Sequence, residues 1–328
     1  MVCNEEKLLV NVLYLSESEI ENNVDLINID FDKLIKTASS HLMLPAFFIN
    51  VQKKNLTHLF PDDFIDYIQN IYSINKARNE VLLTETKQLS ELLHKNNINH
   101  IFLKGSALLL ANIFEDIGER MIGDIDFMIQ KKDETTILRT LKENNYISHN
   151  REFKLFKHKH LSRHTHINKI FAIEPHIEFL SKGNRNILSY NELNSSFRDA
   201  NKQIKIPDLS LILKHCIYSF QIEDFGFASS YYSHRSIYDV YKLNIKDETL
   251  IKRIKFNVYV KSFFLSIDQF KIFNIKFNTS LFSSYFVSLF RSFLKFYLKT
   301  YHIFEKIIRL IFSSKYRNYL INKLLASR

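Results

Sequence analysis

Between residues 98 and 180 the chain carries three short segments with strand patterning, and the sequence on either side of them has helical spacing. HIFLKGS is an apolar run that reaches a glycine, which is typical of a buried strand entering a turn. GDIDFMIQ and KIFAIEPHIEFL both alternate polar and apolar residues. These patterns predict an α+β fold, a small mixed-sheet core embedded between N-terminal and C-terminal helical regions.

Helical spacing is clearest in PDDFIDYIQNIYSINKARNEVLLTETKQLSELLHKNN, where apolar residues recur every three or four positions. Pro61 and the two aspartates after it suit a helix start, because proline fits the first turn and acids favour the positive end of the helix dipole. Asn96 and Asn97 end this helix. Residues 133–144 predict another, and the pattern from Pro207 onward is helical.

Composition agrees with a folded, helix-rich chain. Hydrophobic residues make up 46% and charged residues 24%, whereas there are only five glycines and four prolines to form tight turns. We divide the chain into a helical leader (1–95), an α/β core (96–182), a helical segment packing on the core (183–250) and a basic, aromatic-rich helical region (251–328).

The net charge of +10 is concentrated in the last of these parts. From Ile251 to the end, 15 lysines and arginines stand against two acids, Asp268 and Glu305. The rest of the chain is slightly acidic. The high pI is therefore no argument that the core binds nucleic acid.

Cellular location is predicted from what the sequence lacks. Cys3 and Cys216 are too few for a disulfide framework or a multi-cysteine zinc site. The segment MVCNEEKLLVNV has acids where a signal peptide needs positive charge, and no apolar run reaches the length of about 18 uncharged residues that a spanning helix needs. We expect a cytoplasmic protein, with membrane association limited to peripheral contact.

Asp124 and Asp126 are the first candidate site residues. Carboxylates one residue apart on a strand project from the same face, so both can reach one or two divalent cations. Paired cations of this kind stabilise the attacking and leaving oxygens of phosphoryl displacement. Glu174 and Glu178 are candidates for a third carboxylate, and His176 lies between them.

The turn upstream adds phosphate chemistry. Gly105 after a strand and Ser106 at the start of a helix would direct backbone N–H groups at an anion, and Ser106 is placed to cap that helix. Lys104 could meet phosphate charge. An ordinary strand-to-helix turn is the alternative for this segment taken alone.

Several motifs occur in an order that resembles the DNA polymerase β-like nucleotidyltransferase superfamily. They are LKGSALL, EDIGERMIGDIDFMIQ, NNYIS, the acid-x-His sequence at Glu174, and HRSIYDVYKL with its internal Asp239. Within the superfamily, the chain is most similar to a bacterial family of uncharacterised nucleotidyltransferases that have a helical leader. The resemblance covers roughly residues 32–243.

The resemblance implies roles for individual residues. Gly105 and Ser106 match the phosphate-contacting turn, and Arg120 matches a basic position that touches phosphate. Asp124 and Asp126 match the metal-binding pair. The third acid of the family, which binds metal or activates the acceptor hydroxyl, corresponds to Glu174. Pro175 follows it and is not expected in a central strand, because proline cannot donate to the ladder.

These matches predict a nucleotidyltransferase that uses Mg²⁺ or Mn²⁺ to move an NMP group from an NTP, with ATP expected, to a hydroxyl acceptor. Pyrophosphate is the other product. The acceptor is a small molecule, a sugar, a protein or an RNA end, and the sequence selects none of them. The alternative is a catalytically silent nucleotide-binding or pathway-partner protein that retains the fold, docked at a membrane surface through its basic helices.

Other histidines and charged residues have simpler interpretations. The run KHKHLSRHTH places four histidines among basic residues, which favours a mobile loop or solvated hairpin over a zinc site. His215 is predicted to be a core histidine. Arg235 and Asp239 are four apart and predict an intrahelical ion pair.

The C-terminal region leaves three alternatives open. SLFRSFLKFYLKTYHIFEKIIRLIF has a wide apolar stripe with basic residues between its members. Such a helix docks on its own domain, lies at an anionic membrane surface or binds nucleic acid. The order given is the order in which the sequence favours them.

Overall fold

The computed structural model describes residues 3–23, 28–149, 159–181, 184, 186–201, 204–273, 275 and 281–326. The fold is α+β, with one five-stranded mixed sheet embedded between helical regions, as predicted. None of the helices in these ranges is both long enough and apolar enough to cross a membrane.

Five helices precede the sheet. They are α1 (Asn4–Tyr14), α2 (Glu17–Asn23), α3 (Phe31–Ser40), α4 (Leu44–Lys53) and α5 (Asp62–Lys95). The longest, α5, begins directly after Pro61 with two aspartates in its first turn, and Asn96 follows its last residue. The predicted start and end of this helix are therefore confirmed.

The sheet has the order β1-β2-β5-β4-β3. β2 and β5 are parallel, and the other neighbouring pairs are antiparallel. The elements of this unit are β1 (His100–Phe102), α6 (Lys104–Leu110), β2 (Asp124–Ile129), α7 (Glu134–Glu143), β3 (Tyr146–His149), β4 (Arg163–His166) and β5 (Ala172–His176).

β5 lies at the centre of the sheet although it contains Pro175, contrary to expectation. Its register with β2 is continuous, but β4 pairs with it at one position, His164 opposite Ile173. Beyond that pair, Leu161 N–H donates to the Pro175 carbonyl at 2.8 Å, and His160 Nδ1 lies 2.7 Å from the Leu161 carbonyl. Pro175 has no N–H to donate to the Leu161 carbonyl, and the His160 side chain takes the place of that donor.

After the sheet the chain adds a small hairpin and further helices. The hairpin strands, β6 and β7, interrupt a region whose sequence shows no strand pattern. The elements are α8 (Tyr190–Ser196), β6 (Phe197–Asn201), β7 (Ile204–Pro207), α9 (Leu209–Tyr218), α10 (Gly226–Ser229), α11 (His234–Lys246), α12 (Thr249–Arg253), α13 (Val258–Ile267), α14 (Leu281–Phe312) and α15 (Ser314–Ala326).

Buried apolar side chains from Leu8 to Ile267 form one continuous cluster. It includes Phe102 and Phe127 from the sheet and Tyr238 from α11, all fully buried. The inward face of β2 is therefore fixed by packing, and this leaves its aspartates on the opposite face.

Candidate active site

β2 and β5 lie side by side, and their register brings predicted site residues together. Asp126 is directly opposite Glu174, and Met128 is opposite His176. Because side chains alternate along each strand, Asp124, Asp126, Glu174 and His176 project from one face of the sheet. The sequence alternation in both strands correctly predicts this shared face.

Asp126 is deeply enclosed, with 3% of the residue exposed. Its Oδ1 accepts a hydrogen bond from Lys104 Nζ at 2.6 Å and from His176 Nε2 at 2.8 Å. Burial alone would raise the pKa of this carboxyl, but the Lys104 charge and the His176 hydrogen bond hold it well below its usual range. Asp126 is therefore an ionised, fixed carboxylate.

His176 serves as a neutral support for that carboxylate. Burial lowers the pKa of His176 to about 4, although the hydrogen bond to Asp126 opposes the shift. Because an ionised carboxylate can only accept, Nε2 carries the hydrogen in this contact. The ring thus orients Asp126 without cancelling its charge.

Asp124 lies half-buried at the start of β2. Burial, and then the negative charges of Asp126 and Glu174, raise the pKa of Asp124 to about 6, although Lys104 opposes them. Ligand atoms of Asp126, Glu174 and His176 lie within 4.8 Å of one another. Acids this crowded are stabilised by a cation, and the carboxylate oxygens fit a hard divalent ion such as Mg²⁺.

Lys104 is the first residue of α6, two positions after the end of β1. Its φ of 50° is left-handed, a conformation that costs a non-glycine residue on the order of 1–3 kcal/mol. Burial opposes the charge, but Asp126 raises the pKa of Lys104 above its ordinary value. The strained turn therefore holds a cation against the most buried carboxylate of the site.

Gly105 and Ser106 follow in the first turn of α6, and both are buried. A Cβ on Gly105 would lie 2.9 Å from the buried Ile122 side chain, so the backbone approaches too closely for a larger residue. The prediction that Ser106 caps α6 is wrong, because the helix already begins at Lys104. Ser106 Oγ is buried and has no hydrogen-bond partner among the described residues.

Arg120 lies in the loop before β2 and is buried, with Nε and Nη2 donating to the two Asp239 carboxylate oxygens at 2.7 and 2.9 Å. Asn75 and Asn79 on α5 donate side-chain hydrogen bonds to the Arg120 carbonyl at 3.2 and 2.8 Å. Arg120 is thus held as a structural link to α11. The predicted ion pair of Asp239 with Arg235 does not form. Both carboxylate oxygens of Asp239 accept hydrogen bonds from the Arg120 guanidinium instead.

A cavity of about 80 Å³ lies beside the turn and is lined by α6, α9 and α11. Its lining includes the cations Lys104, Arg120 and Arg235, the acids Asp224 and Asp239, and the ring of His215. His215 Nε2 is buried and Arg235 is half-buried, and neither forms a hydrogen bond with a described residue. The cavity therefore contains side chains that could form hydrogen bonds with a ligand.

Residues 28–211 match a family model described as an uncharacterised nucleotidyltransferase. The chain belongs to this family. No curated protein and no solved structure shows a significant match. The match contains the whole five-stranded sheet, so Asp124, Asp126 and Glu174 all lie within the nucleotidyltransferase region.

The remaining predicted site residues lie at the margin of this candidate site. Glu178 lies beyond the end of β5 and is not among the three grouped ligands, so Glu174 is the acid that the strand register favours. His158 lies outside the described residues. His164 is buried within β4, and His160 and His166 form no three-ligand metal group with it in the described part of the chain.

Sequence reasoning missed two residues at the cavity. His215 is buried as predicted, but the residue also lines the cavity. Arg235 was interpreted as half of an ion pair and instead borders the cavity without a hydrogen bond to a described residue. The sequence shows only that His215 and Arg235 lie in helices after the sheet. No local pattern indicates that these helices pack near the start of α6.

Proposed function

We propose that this nucleotidyltransferase-family protein moves an NMP group from an NTP to a hydroxyl acceptor and releases pyrophosphate. The observation that carries the proposal is the Asp126–Glu174–His176 group on two adjacent parallel strands. Asp124 adds a second carboxylate on β2, and Lys104, which donates a hydrogen bond to Asp126, also lines the cavity.

Asp124, Asp126 and Glu174 would hold Mg²⁺ or Mn²⁺. A bound divalent ion supplies positive charge to the phosphoryl oxygens at which negative charge develops. His176 and Lys104 fix Asp126 in place, so the carboxylate needs no rearrangement when substrate arrives.

The triphosphate would lie against the first turn of α6. Gly105 lets α6 pack closely against Ile122, and Ser106 Oγ has no hydrogen-bond partner among the described residues. Lys104 and Arg235 supply positive charge, and His215 a neutral ring nitrogen, from the cavity side. Arg120 does not contact the triphosphate in this scheme, because its guanidinium is paired with Asp239.

The chemical step balances as an in-line displacement. The acceptor hydroxyl oxygen forms a bond to the α-phosphorus, and the bond from that phosphorus to the β-bridging oxygen breaks. Glu174, which is less enclosed than Asp126, takes the hydroxyl proton. Pyrophosphate leaves with the electron pair of the broken bond, stabilised by Lys104 and Arg235.

Asp126→Asn tests the assignment. Full-length protein is incubated with α-phosphate-labelled NTPs, a divalent salt and separate small-molecule and macromolecular fractions of a lysate, and both transferred label and released pyrophosphate are measured. We expect Asp126→Asn to lower both about 10²–10³-fold, the effect of removing one preorganised electrostatic group. Asp66→Asn, an exposed acid on α5, is the matched control and should leave them unchanged.

Two results would count against the enzyme. Transfer that persists in Asp126→Asn would place the chemistry elsewhere. NTP binding by calorimetry without transfer to any fraction, equal in the wild type and in Asp124→Asn/Asp126→Asn, would favour the silent nucleotide-binding protein instead.

A further inference from the structure

α14 is attached to the rest of the protein near its N-terminal third. The Phe290 ring lies 5.7 Å from the ring of Phe227 on α10. Arg291 lies 5.1 Å from the same ring and donates a hydrogen bond to Ser262 Oγ at 2.7 Å. Contacts of this kind fix the position of the helix but cover only a short part of it.

α14 also exposes an apolar stripe that begins at Leu289 and is interrupted by Thr300. Its members recur at intervals of three, four and seven residues, so they lie on one side of the helix. Each is between 45% and 69% exposed: Leu289, Phe293, Phe296, Ile303, Ile307 and Leu310. The sequence favours docking of this helix on the chain's own domain, but in the structure these side chains are exposed. Exposed apolar patches mark surfaces that bind a partner.

A row of lysines runs beside the stripe. Lys295, Lys299 and Lys306 are exposed, and at 100° per residue they project about a quarter turn from the stripe. In the sequence from 281 to 326, eight lysines and arginines accompany one acid, Glu305. This surface of α14 therefore combines exposed apolar side chains with a row of lysines along one side.

Charge decides among the candidate partners. A second copy of α14 would bring the same excess of cations and only one acid, Glu305, to complement them, so pairing of two copies is opposed. Nucleic acid would match the lysines, but its phosphates offer no apolar volume to the aliphatic residues Ile303, Ile307 and Leu310. Only a layer with anionic groups above hydrocarbon satisfies both parts of the surface.

We propose that α14 lies in the plane of an anionic lipid surface, with its stripe between the acyl chains and its lysines at the headgroups. The helix does not cross the bilayer, in agreement with the hydropathy of the described helices. This binding does not depend on the reaction proposed for the sheet.

Phe293→Trp provides a direct probe, because the chain contains no tryptophan. Full-length Phe293→Trp is titrated with vesicles of phosphatidylcholine alone and of phosphatidylcholine mixed with phosphatidylglycerol. We expect a blue shift of tryptophan emission with the mixed vesicles only, weakened by added salt. Tyr67→Trp, an exposed ring on α5, is the matched control and should not shift.

The lysines are tested in the same background. Lys295→Gln/Lys299→Gln/Lys306→Gln should weaken vesicle affinity about a hundredfold, from roughly fivefold per lysine near an anionic surface. Lys131→Gln/Lys132→Gln/Lys142→Gln removes three exposed lysines from the sheet region and should leave affinity unchanged.

Three outcomes overturn the proposal. Equal emission shifts with neutral and anionic vesicles would remove the electrostatic part. Equal weakening by both lysine sets would show general charge attraction instead of docking by α14. A shift that depends on protein concentration, or that appears with single-stranded RNA and not with vesicles, would assign the stripe to a second copy or to nucleic acid.

Discussion

The sheet region and α14 use the same residue types in opposite ways. Phe127 on β2 is fully buried, whereas Phe293 on α14 is 65% exposed. Around the site, cations are matched to buried acids, as Arg120 is to Asp239, whereas Lys295, Lys299 and Lys306 of α14 are exposed at the surface. Apolar and basic residues therefore specify the fold in one region and an external contact in the other.

The largest expected difference is between the two phenylalanines. Phe127→Ala should lower the free energy of unfolding by about 3–5 kcal/mol, because it leaves a cavity in a packed core. Phe293→Ala should change it by no more than about 0.5 kcal/mol. Urea denaturation of both variants measures this, and a large loss for Phe293→Ala would mean that α14 packs on the protein in solution.

The ion pairs give the next comparison. Asp239→Asn leaves the Arg120 guanidinium buried without its counter-charge and should cost about 3–5 kcal/mol of unfolding free energy. Asp268→Asn removes the partner of Lys271 in an exposed pair and should cost less than about 1 kcal/mol. Equal effects in denaturant titrations would contradict the structural role of the Arg120 link.

A smaller effect is expected from glycines at the edge of the site. Gly105→Ala should destabilise by about 1–3 kcal/mol, because the new methyl group meets Ile122. Gly123→Ala adds the same group where no atom lies within 4 Å and should be nearly neutral. Combining Gly105→Ala with Ile122→Ala should recover part of the loss from the clash, measured as a coupling energy in a double-mutant cycle.

Sequence predicted the parts of the molecule that local pattern controls. The start of α5 after Pro61 and the alternation of Asp124 and Asp126 depend only on neighbouring residues, and both appear in the structure. β5 was found, but the alternation through Glu178 suggested a longer strand than the one that ends at His176. Strand ends depend on what lies alongside, which one segment does not reveal.

The contacts that support the site were not predictable in this way. Arg120 and Asp239 are separated by 119 positions, and their pairing requires α11 to pack near the loop before β2. β4 lies in a histidine-rich, basic segment without an alternating apolar pattern, and the pairing of its backbone with β3 determines its place. Tertiary contact decided both.

The ion pair between Arg120 and Asp239 also determines how short a fragment of this chain can be and still keep the contacts around the site. The family match ends at residue 211, yet Asp239 lies well beyond it. A fragment that ends at residue 211 would keep every proposed catalytic carboxylate. It would lose Asp239, the counter-ion of Arg120 in the loop before β2. A fragment that keeps this ion pair must therefore extend beyond residue 239.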